Sequence, residues 1–182
     1  MSRLFGSIRQ VAFVVRDLDA TLHYWTETLG VGPFFVLRRV SPVDYRYRGA
    51  PAPAPCLSLA LGNSGDVQIE LIQQHDDRAS AYRDFLAAGR EGMQHVSSWL
   101  TRGEYDETMA RARARGLVVA HEGALPGSGV RFAYFATDVA PGGLVYEIAD
   151  CLEPRVYPFM QMIADAARGW DGRDPVREIQ LP

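Results

Sequence analysis

The order of apolar and polar residues predicts a β-α-β-β-β module in the first half of the chain. Residues 8–15 are apolar on both faces, as expected for a buried strand. Asp17 then breaks the pattern and can cap a helix, because its carboxylate can accept hydrogen bonds from the free amides of the first turn. The helix ends at Gly30 and has one apolar stripe, formed by Leu18, Leu22, Trp25 and Leu29.

Three strands complete this first module, at residues 34–40, 57–61 and 66–72. A turn at residues 62–65 joins the last two, since this tetrapeptide contains glycine at both ends. Residues 41–55 contain four prolines and a glycine. We therefore expect a long loop without a regular element there.

The second half of the chain repeats this plan after a linker at residues 75–92. The linker contains a short helix, which Ser80 can cap and Gly89 can end. A strand is expected at residues 94–100, followed by a helix whose positions match the first stripe, namely Tyr105, Met109, Ala112 and Gly116. Three more strands are expected at 117–121, 131–137 and 144–149, the last two joined by a turn at 141–143.

Matching polar positions indicate one internal duplication. His95 lies 85 residues after Gln10, and Glu147 lies 77 residues after Glu70. In each module the first strand therefore carries one polar candidate and the last strand carries one glutamate. A single duplication excludes a solenoid, which needs more copies.

The two modules occupy residues 7–74 and 93–151 of a single domain that spans residues 1–182. Residues 152–182 lie outside the repeat. A helix is expected at residues 158–168, with proline at its first position, followed by a trailing arm.

Composition limits the classes of function. With 47% apolar and 23% charged residues, the chain is typical of a soluble globular protein. A net charge of −3 offers no basic face for nucleic acid, and no apolar run approaches the ~20 residues of a membrane span. The first residues are too polar for a signal peptide, and two cysteines, Cys56 and Cys151, are too few for a disulfide framework. We expect a cytoplasmic protein.

The two glutamates are the main indication of a specific chemical site. Glu70 and Glu147 lie within largely apolar strands, where an unpaired carboxylate would cost several kcal/mol. Together with Gln10 and His95, they predict a four-ligand site for a divalent cation between the modules. Taken alone, Gln10 could instead bind a neighbouring backbone group, and His95 could be a hydrogen-bonded core histidine.

The repeat resembles the vicinal oxygen chelate superfamily, which includes glyoxalase I, methylmalonyl-CoA epimerase, the extradiol dioxygenases and the bleomycin- and fosfomycin-resistance proteins. Four stretches carry the resemblance, at residues 10–19, 67–71, 92–96 and 142–148, and it extends over residues 7–151. Residues 82–86 and 91–95 are closest to the epimerase and glyoxalase branch.

This resemblance implies an α+β fold in which two tandem modules form a curled mixed sheet around a central cleft. The ligand positions of the superfamily fall on Gln10, Glu70, His95 and Glu147. The first-strand histidine of the extradiol dioxygenases is replaced by Gln10, which favours Zn²⁺, Ni²⁺ or Co²⁺ over Fe²⁺. Members of this superfamily commonly form homodimers that cover open sheet edges, so a homodimer is expected.

The implied activity is that of a glyoxalase- or epimerase-like isomerase or lyase. It would remove a proton next to a metal-chelated carbonyl through an enolate. Glu147 would be the base, and Glu70 would be a ligand or the second acid or base. One alternative is a non-catalytic small-molecule binding protein of the bleomycin-resistance type, although those binders lack the full ligand set. Another is a degenerate scaffold with an empty site, because the amide oxygen of Gln10 is a weak neutral ligand.

Residues around the proline-rich loop suggest how a small-molecule substrate is bound. Arg38 and Arg46 could hold an anionic substrate or a thioester, because guanidinium groups suit carboxylates and phosphates. Tyr45 and Tyr47 could cover the cleft. The alternative is a solvated rim without a role.

Overall fold

The computed structural model describes residues 2–139 and 143–179. Within these ranges it has eleven strands: β1 Ile8–Val14, β2 Phe34–Val40, β3 Val43–Tyr47, β4 Ala50–Pro51, β5 Leu57–Ser64, β6 Val67–Gln74, β7 Gly92–Trp99, β8 Val119–Ala124, β9 Arg131–Phe135, β10 Val145–Ala149 and β11 Val176–Glu178. The described part has four α-helices: α1 Leu18–His23, α2 Ala81–Ala87, α3 Arg102–Ala114 and α4 Tyr157–Ala167. A π-helical turn, Tyr24–Thr28, continues α1.

All eleven strands of the described part join one curled mixed sheet in the order β11-β2-β5-β6-β1-β7-β10-β9-β8-β3-β4. The order β1-β6-β5-β2 in the first half matches β7-β10-β9-β8 in the second. In both halves the first and last strands pair in parallel, and the halves meet where β1 and β7 pair antiparallel. The α+β fold with two like halves is therefore confirmed.

The register of these strands relates the two halves residue by residue. Glu70 pairs with Ala12 in the first half, and Glu147 pairs with Ser97 in the second. Ala12 and Ser97 therefore occupy equivalent positions. The residues two places before them, Gln10 and His95, are equivalent as well.

Helices cover both faces of the sheet. On the outer face, α1 packs against the first half and α3 against the second, each burying its apolar stripe. The inner face packs against α2 and α4. It contains the candidate metal ligands Gln10, Glu70, His95 and Glu147. No helix in the described ranges is both long enough and apolar enough to cross a membrane.

Residues 41–55 were wrongly expected to lack regular structure. They contain β3, which pairs with β8, and the two-residue β4, which pairs with β3. The run Val43–Tyr47 contains no proline, and Pro51 lies in the outermost strand, where a missing N–H breaks no sheet hydrogen bond. This segment of the first half thus extends the sheet of the second half.

The turn after β5 was placed too early. β5 continues through Ser64, and the turn lies at residues 65 and 66. Gly62 is a strand residue whose missing side chain has a packing reason. A Cβ atom there would lie 2.9 Å from the ring of Phe34.

The first helix differs from its predicted stripe at one end. Leu18 and Leu22 are buried, but Leu29 is 46% exposed. The π-helical turn widens the helix before Leu29 and so changes the direction of this side chain. Gly30 follows with a φ of 64°, which confirms its place at the end of the helix.

The C-terminal region is more ordered than expected. The predicted helix is present as α4, and part of the predicted arm forms β11, which pairs in parallel with β2. Both edges of the eight-strand repeat are therefore covered by the chain itself, with β11 on one side and β3 and β4 on the other. Residues 141 and 142 of the predicted turn lie outside the described residues.

Candidate metal centre

Three predicted ligands meet on the inner face of the sheet. Nε2 of His95 lies 3.6 Å from Oε2 of Glu70 and 3.7 Å from Oε2 of Glu147. One ligand atom from each of these residues lies within 4.8 Å of the others, and all three residues are buried. Three strands from both halves, β6, β7 and β10, thus bring an imidazole and two carboxylates to one point.

A hydrogen bond orients the imidazole of His95. Nδ1 lies 2.6 Å from the side-chain oxygen of Gln94, whose amide nitrogen donates to the carbonyl of Ala81. Because the oxygen of Gln94 can only accept, Nδ1 carries the proton and Nε2 presents its lone pair towards the two glutamates. This arrangement is typical of histidines that bind a metal, where the second nitrogen is held by a neighbouring acceptor.

Burial dominates the electrostatics of the three groups. It raises the pKa of Glu70 to about 8 and that of Glu147 to about 7, where nearby His95 opposes the rise and Glu70 adds to it. It lowers the pKa of His95 to about 4. The imidazole is therefore neutral near pH 7, while two carboxylates can remain ionised together only with a positive charge beside them.

A divalent cation fits this donor set. One imidazole nitrogen and two carboxylates are ligands for Zn²⁺ and related ions, and the cation would supply the missing positive charge. The three side chains are oriented by strands and by Gln94, so little reorganisation would be needed.

Gln10 is placed for the fourth position. It is buried on β1 and lines the same cavity as Glu70 and Glu147. Its amide nitrogen donates to the oxygen of Gln68 over 2.8 Å, so its own oxygen is the atom that could bind a cation. The role of Gln10 as a ligand stays a prediction.

The cavity beside the glutamates has a volume of about 60 Å³. Gln10, Glu70 and Glu147 are the polar candidate ligands among the residues that line it. The other lining residues are mostly apolar: Leu37, Pro42, Leu57, Leu59, Leu61, Tyr82, Trp99, Leu125, Val130, Phe132, Tyr134, Ala149, Cys151 and Met160. Both halves of the chain and α4 therefore contribute to its wall.

Tyr134 is a site residue that sequence reasoning missed. It pairs with Glu147 across β9 and β10, and its hydroxyl donates to Nε2 of His95 over 3.2 Å. The hydroxyl of Tyr82 donates in turn to that of Tyr134 over 2.9 Å. The alternation of Phe132 and Tyr134 in the sequence places both on one face, but only the register of β9 shows that this face contains Glu147.

The structure places His121 directly behind this tyrosine. Its ring centroid lies 4.2 Å from that of Tyr134, and Nδ1 lies 3.0 Å from the hydroxyl of Tyr45. Burial lowers the pKa of His121 to about 3, so its imidazole is neutral. We assign it a packing role in the aromatic wall.

The structure does not bring the four predicted substrate-binding residues to the cavity. Arg38 forms ion pairs with Asp19 and Glu178, and the guanidinium of Arg46 lies 3.7 Å from Glu122.

The two tyrosines are also engaged elsewhere. The hydroxyl of Tyr47 donates to Asp84, and that of Tyr45 contacts Ala79 and the buried His121. A role in substrate binding stays a prediction for all four residues.

Comparison with known proteins places the chain in a family. Residues 9–135, more than half of the chain, match the Glyoxalase/Bleomycin resistance protein/Dioxygenase superfamily. The chain therefore belongs to this superfamily, the vicinal oxygen chelate superfamily, as its sequence predicted. No curated protein sequence matches it significantly.

Solved structures show the same fold at low identity. The hypothetical protein BH1468 from Bacillus halodurans C-125 has a TM-score of 0.54 and 18% identity, with 79% of this chain and 92% of that chain covered. Methylmalonyl-CoA epimerase from Mycobacterium tuberculosis has a TM-score of 0.54 and 19% identity, with 82% and 90% covered. A variant of the Streptomyces coelicolor methylmalonyl-CoA epimerase in complex with 2-nitronate-propionyl-CoA has a TM-score of 0.53 and 20% identity, with 80% and 94% covered.

Proposed function

We propose that the protein is a metal-dependent isomerase or lyase that removes a proton next to the carbonyl group of its substrate. The observation that supports this most directly is that Glu70 and Glu147, on equivalent strands of the two halves, meet His95 at one point. A divalent cation held by these residues, with Gln10 as the fourth ligand, would polarise the carbonyl and stabilise an enolate. Zn²⁺, Ni²⁺ or Co²⁺ suits this donor set.

The two glutamates would have different roles in acid–base catalysis. They are related by the internal duplication, so they approach the cavity from opposite halves of the chain. Glu147 would accept the proton, and Glu70 would hold the cation or return a proton from the other side. Burial raises the pKa of Glu147 to about 7 in the metal-free protein, and a cation beside it would lower this value, so the carboxylate would be ionised and able to accept a proton near neutral pH.

The neighbouring structures favour a carbonyl compound as substrate. Two of the similar folds are methylmalonyl-CoA epimerases, and one is in complex with a CoA thioester analogue. A small-molecule substrate with a carbonyl beside a second oxygen would fit the proposed chemistry here. The alternative, a non-catalytic binding protein, would not need an acid–base pair in the cavity.

The decisive variant is Glu147→Gln. The amide keeps an oxygen for the cation but cannot accept a proton, so exchange of solvent deuterium into a candidate thioester or hemithioacetal should fall by about 10²–10⁴-fold. Metal content, measured on protein purified without added metal, should change far less. Glu107→Gln, at an exposed position on α3, is the matched control and should behave as wild type.

The outcomes separate the alternatives. If Glu147→Gln leaves exchange unchanged, Glu147 is not the base and Glu70 becomes the candidate. If the wild-type protein contains metal but catalyses no exchange into either class of compound, the binding-protein alternative is favoured.

A further inference from the structure

We propose that the cavity beside the glutamates accepts a short, uncharged hydrocarbon group of the substrate, and that Met160 limits the length of this group. The inference deepens the proposed function, because it concerns the part of the substrate that points away from the chelating oxygens. The experiment below keeps the two apart.

The cavity wall has no positive partner for a charged substrate group. Among the described residues that line it, the only carboxyl groups are those of Glu70 and Glu147, and none of the lining side chains is cationic. Beyond them the wall consists of leucines, aromatic rings and small apolar residues. A carboxylate or phosphate on the substrate tail would lose its hydration there without gaining a counterion.

The arginines that could have supplied a positive charge to the cavity form ion pairs elsewhere. Arg38 and Arg46 pair with acidic residues outside the cavity. Arg131 pairs with Asp106 and the buried Asp150. Binding an anionic group inside the cavity would require one of these pairs to break and the chain around it to move.

Met160 and Trp99 separate the cavity from a second space. Both residues also line an outer groove of about 360 Å³, which contains Arg9 and Arg168 together with acidic and amide side chains. The hydrocarbon group would remain inside the cavity, where the volume is only about 60 Å³.

The side chain of Met160 is buried in the cavity wall next to Gln68. It is 8% exposed, and its sulfur accepts from the amide nitrogen of Gln68 over 3.6 Å, while the side-chain oxygen of Gln68 accepts from Gln10. A methionine at this point fills the end of the cavity with three rotatable bonds and no charge. Met162, two residues later on α4, is 40% exposed and lies outside the cavity lining.

Methyl-labelled methionine provides the readout. Zinc-loaded protein is titrated with hydroxamates, which chelate through two oxygens and differ only in their tails: acetohydroxamate, butyrohydroxamate, hexanohydroxamate and octanohydroxamate. The Met160 methyl signal should shift on binding and that of Met162 should not. Affinity should rise about fourfold per methylene until the cavity is full, and then stop rising.

Two compounds of nearly equal shape test whether the cavity excludes a charged tail. Isocaprohydroxamate and the monohydroxamate of succinic acid have tails of nearly the same size, but the second ends in a carboxylate. We expect the second to bind at least about 100-fold more weakly. Equal or tighter binding of the charged compound overturns the proposal, as does a hydrocarbon series that leaves the Met160 signal unshifted.

Two variants test the limit on length. Met160→Ala removes three heavy atoms from the end of the cavity, so the preferred tail should lengthen by about two to three carbons. Met162→Ala removes the same atoms from an exposed position and should keep the wild-type preference. An unchanged preference in a folded Met160→Ala protein shows that Met160 does not limit the length.

Metal analysis distinguishes failure of the proposed function from failure of this inference. If the protein takes up none of Zn²⁺, Ni²⁺ and Co²⁺, the proposed function fails. Binding of a hydrocarbon tail is then tested on metal-free protein with butyramide and hexanamide, using the same methionine signals. A shift confined to Met160 supports the hydrocarbon cavity without the metal, and the absence of a shift overturns it.

Discussion

Tyr134 illustrates how a single side chain connects the aromatic wall to the candidate metal centre. Its hydroxyl donates to Nε2 of His95, which is the nitrogen that would bind a cation. A cation at Nε2 would displace this hydrogen bond, and the hydroxyl would then be free to donate to Glu147 or to an oxygen of the substrate. Tyr134 is therefore a candidate for stabilising developing negative charge.

Replacing this hydroxyl gives a prediction at the residue scale. Tyr134→Phe should reduce deuterium exchange on the order of 10²-fold, while metal content stays close to that of wild type. Tyr82→Phe is the matched control, because the hydroxyl of Tyr82 reaches Tyr134 and not His95. If both variants lose activity equally, the linked hydroxyls of Tyr82 and Tyr134 act together, and the loss does not belong to the hydrogen bond of Tyr134 alone.

The pKa values of Glu70, Glu147 and His95 predict how the free energy of unfolding depends on pH. Glu70 and Glu147 bind protons more tightly when folded, with pKa values of about 8 and about 7 against an ordinary 4.5. Metal-free protein should therefore lose stability as the pH rises from about 4.5 through 8. His95 binds its proton less tightly when folded, with a pKa of about 4 against 6.5, so stability should also fall as the pH drops from about 6.5 through 4.

Thermal unfolding across the range from about pH 4 to about pH 9 checks this dependence. We expect the melting temperature of metal-free protein to be highest near pH 5 to pH 6, and saturating Zn²⁺ to remove most of the decline at high pH. Glu70→Gln should also weaken that decline, since an amide has no proton to lose. A melting temperature of metal-free protein that rises steadily from about pH 5 to about pH 8 would contradict the assignment.

At the scale of elements, close packing between strands determines where a side chain is tolerated. Gly62 in β5 leaves room for the ring of Phe34, which belongs to β2 and is fully buried in a cluster with residues of α1. Gly62 therefore allows the two neighbouring strands to pack closely and does not form the turn. The turn lies three residues later at Gly65, which has a φ of 60°.

Gly62→Ala should therefore destabilise the protein. The added methyl group would lie 2.9 Å from the Phe34 ring, and overpacking of this kind costs about 1–3 kcal/mol. Gly103→Ala is the matched control, because its added methyl meets no atom within 4 Å and it lies in α3, where alanine is favoured over glycine by about 0.5–1 kcal/mol. Urea unfolding measures both, and a neutral Gly62→Ala would show that Phe34 can move aside.

At the scale of the whole molecule, segments outside the repeat cover its open edges. β3 and β4 come from the first half but extend the second, and β11 comes from the C-terminal arm but extends the first. The new outermost strands are short, with two and three residues, and one contains Pro51. Short strands and proline make poor edges for pairing with another chain.

This arrangement bears on the predicted homodimer. The prediction assumed open edges, but the described strands of the repeat find their partners within one chain. The homodimer stays a prediction, and a dimer would have to use side chains rather than sheet edges. Sedimentation velocity at micromolar concentration separates a 20.2 kDa monomer from a particle of twice that mass, and a monomer would refute the prediction.

The sequence by itself determined the repeat and most of the candidate metal ligands. Strands and helices have periods of two and 3.6 residues, so their apolar faces can be read from local order, and the two glutamates stand out because charge is costly in an apolar strand. Gln10, Glu70, His95 and Glu147 could be identified in this way, and three of them meet in the structure.

Only the tertiary structure decided which elements and charges lie next to each other. Local order does not encode register between distant strands, so the pairing of β3 with β8 and of Tyr134 with Glu147 could not be predicted. The partner of a long charged side chain likewise depends on the surface around it. Arg38 is close in sequence to the cavity residue Leu37, yet it points to Asp19 and Glu178, and the cavity is left apolar.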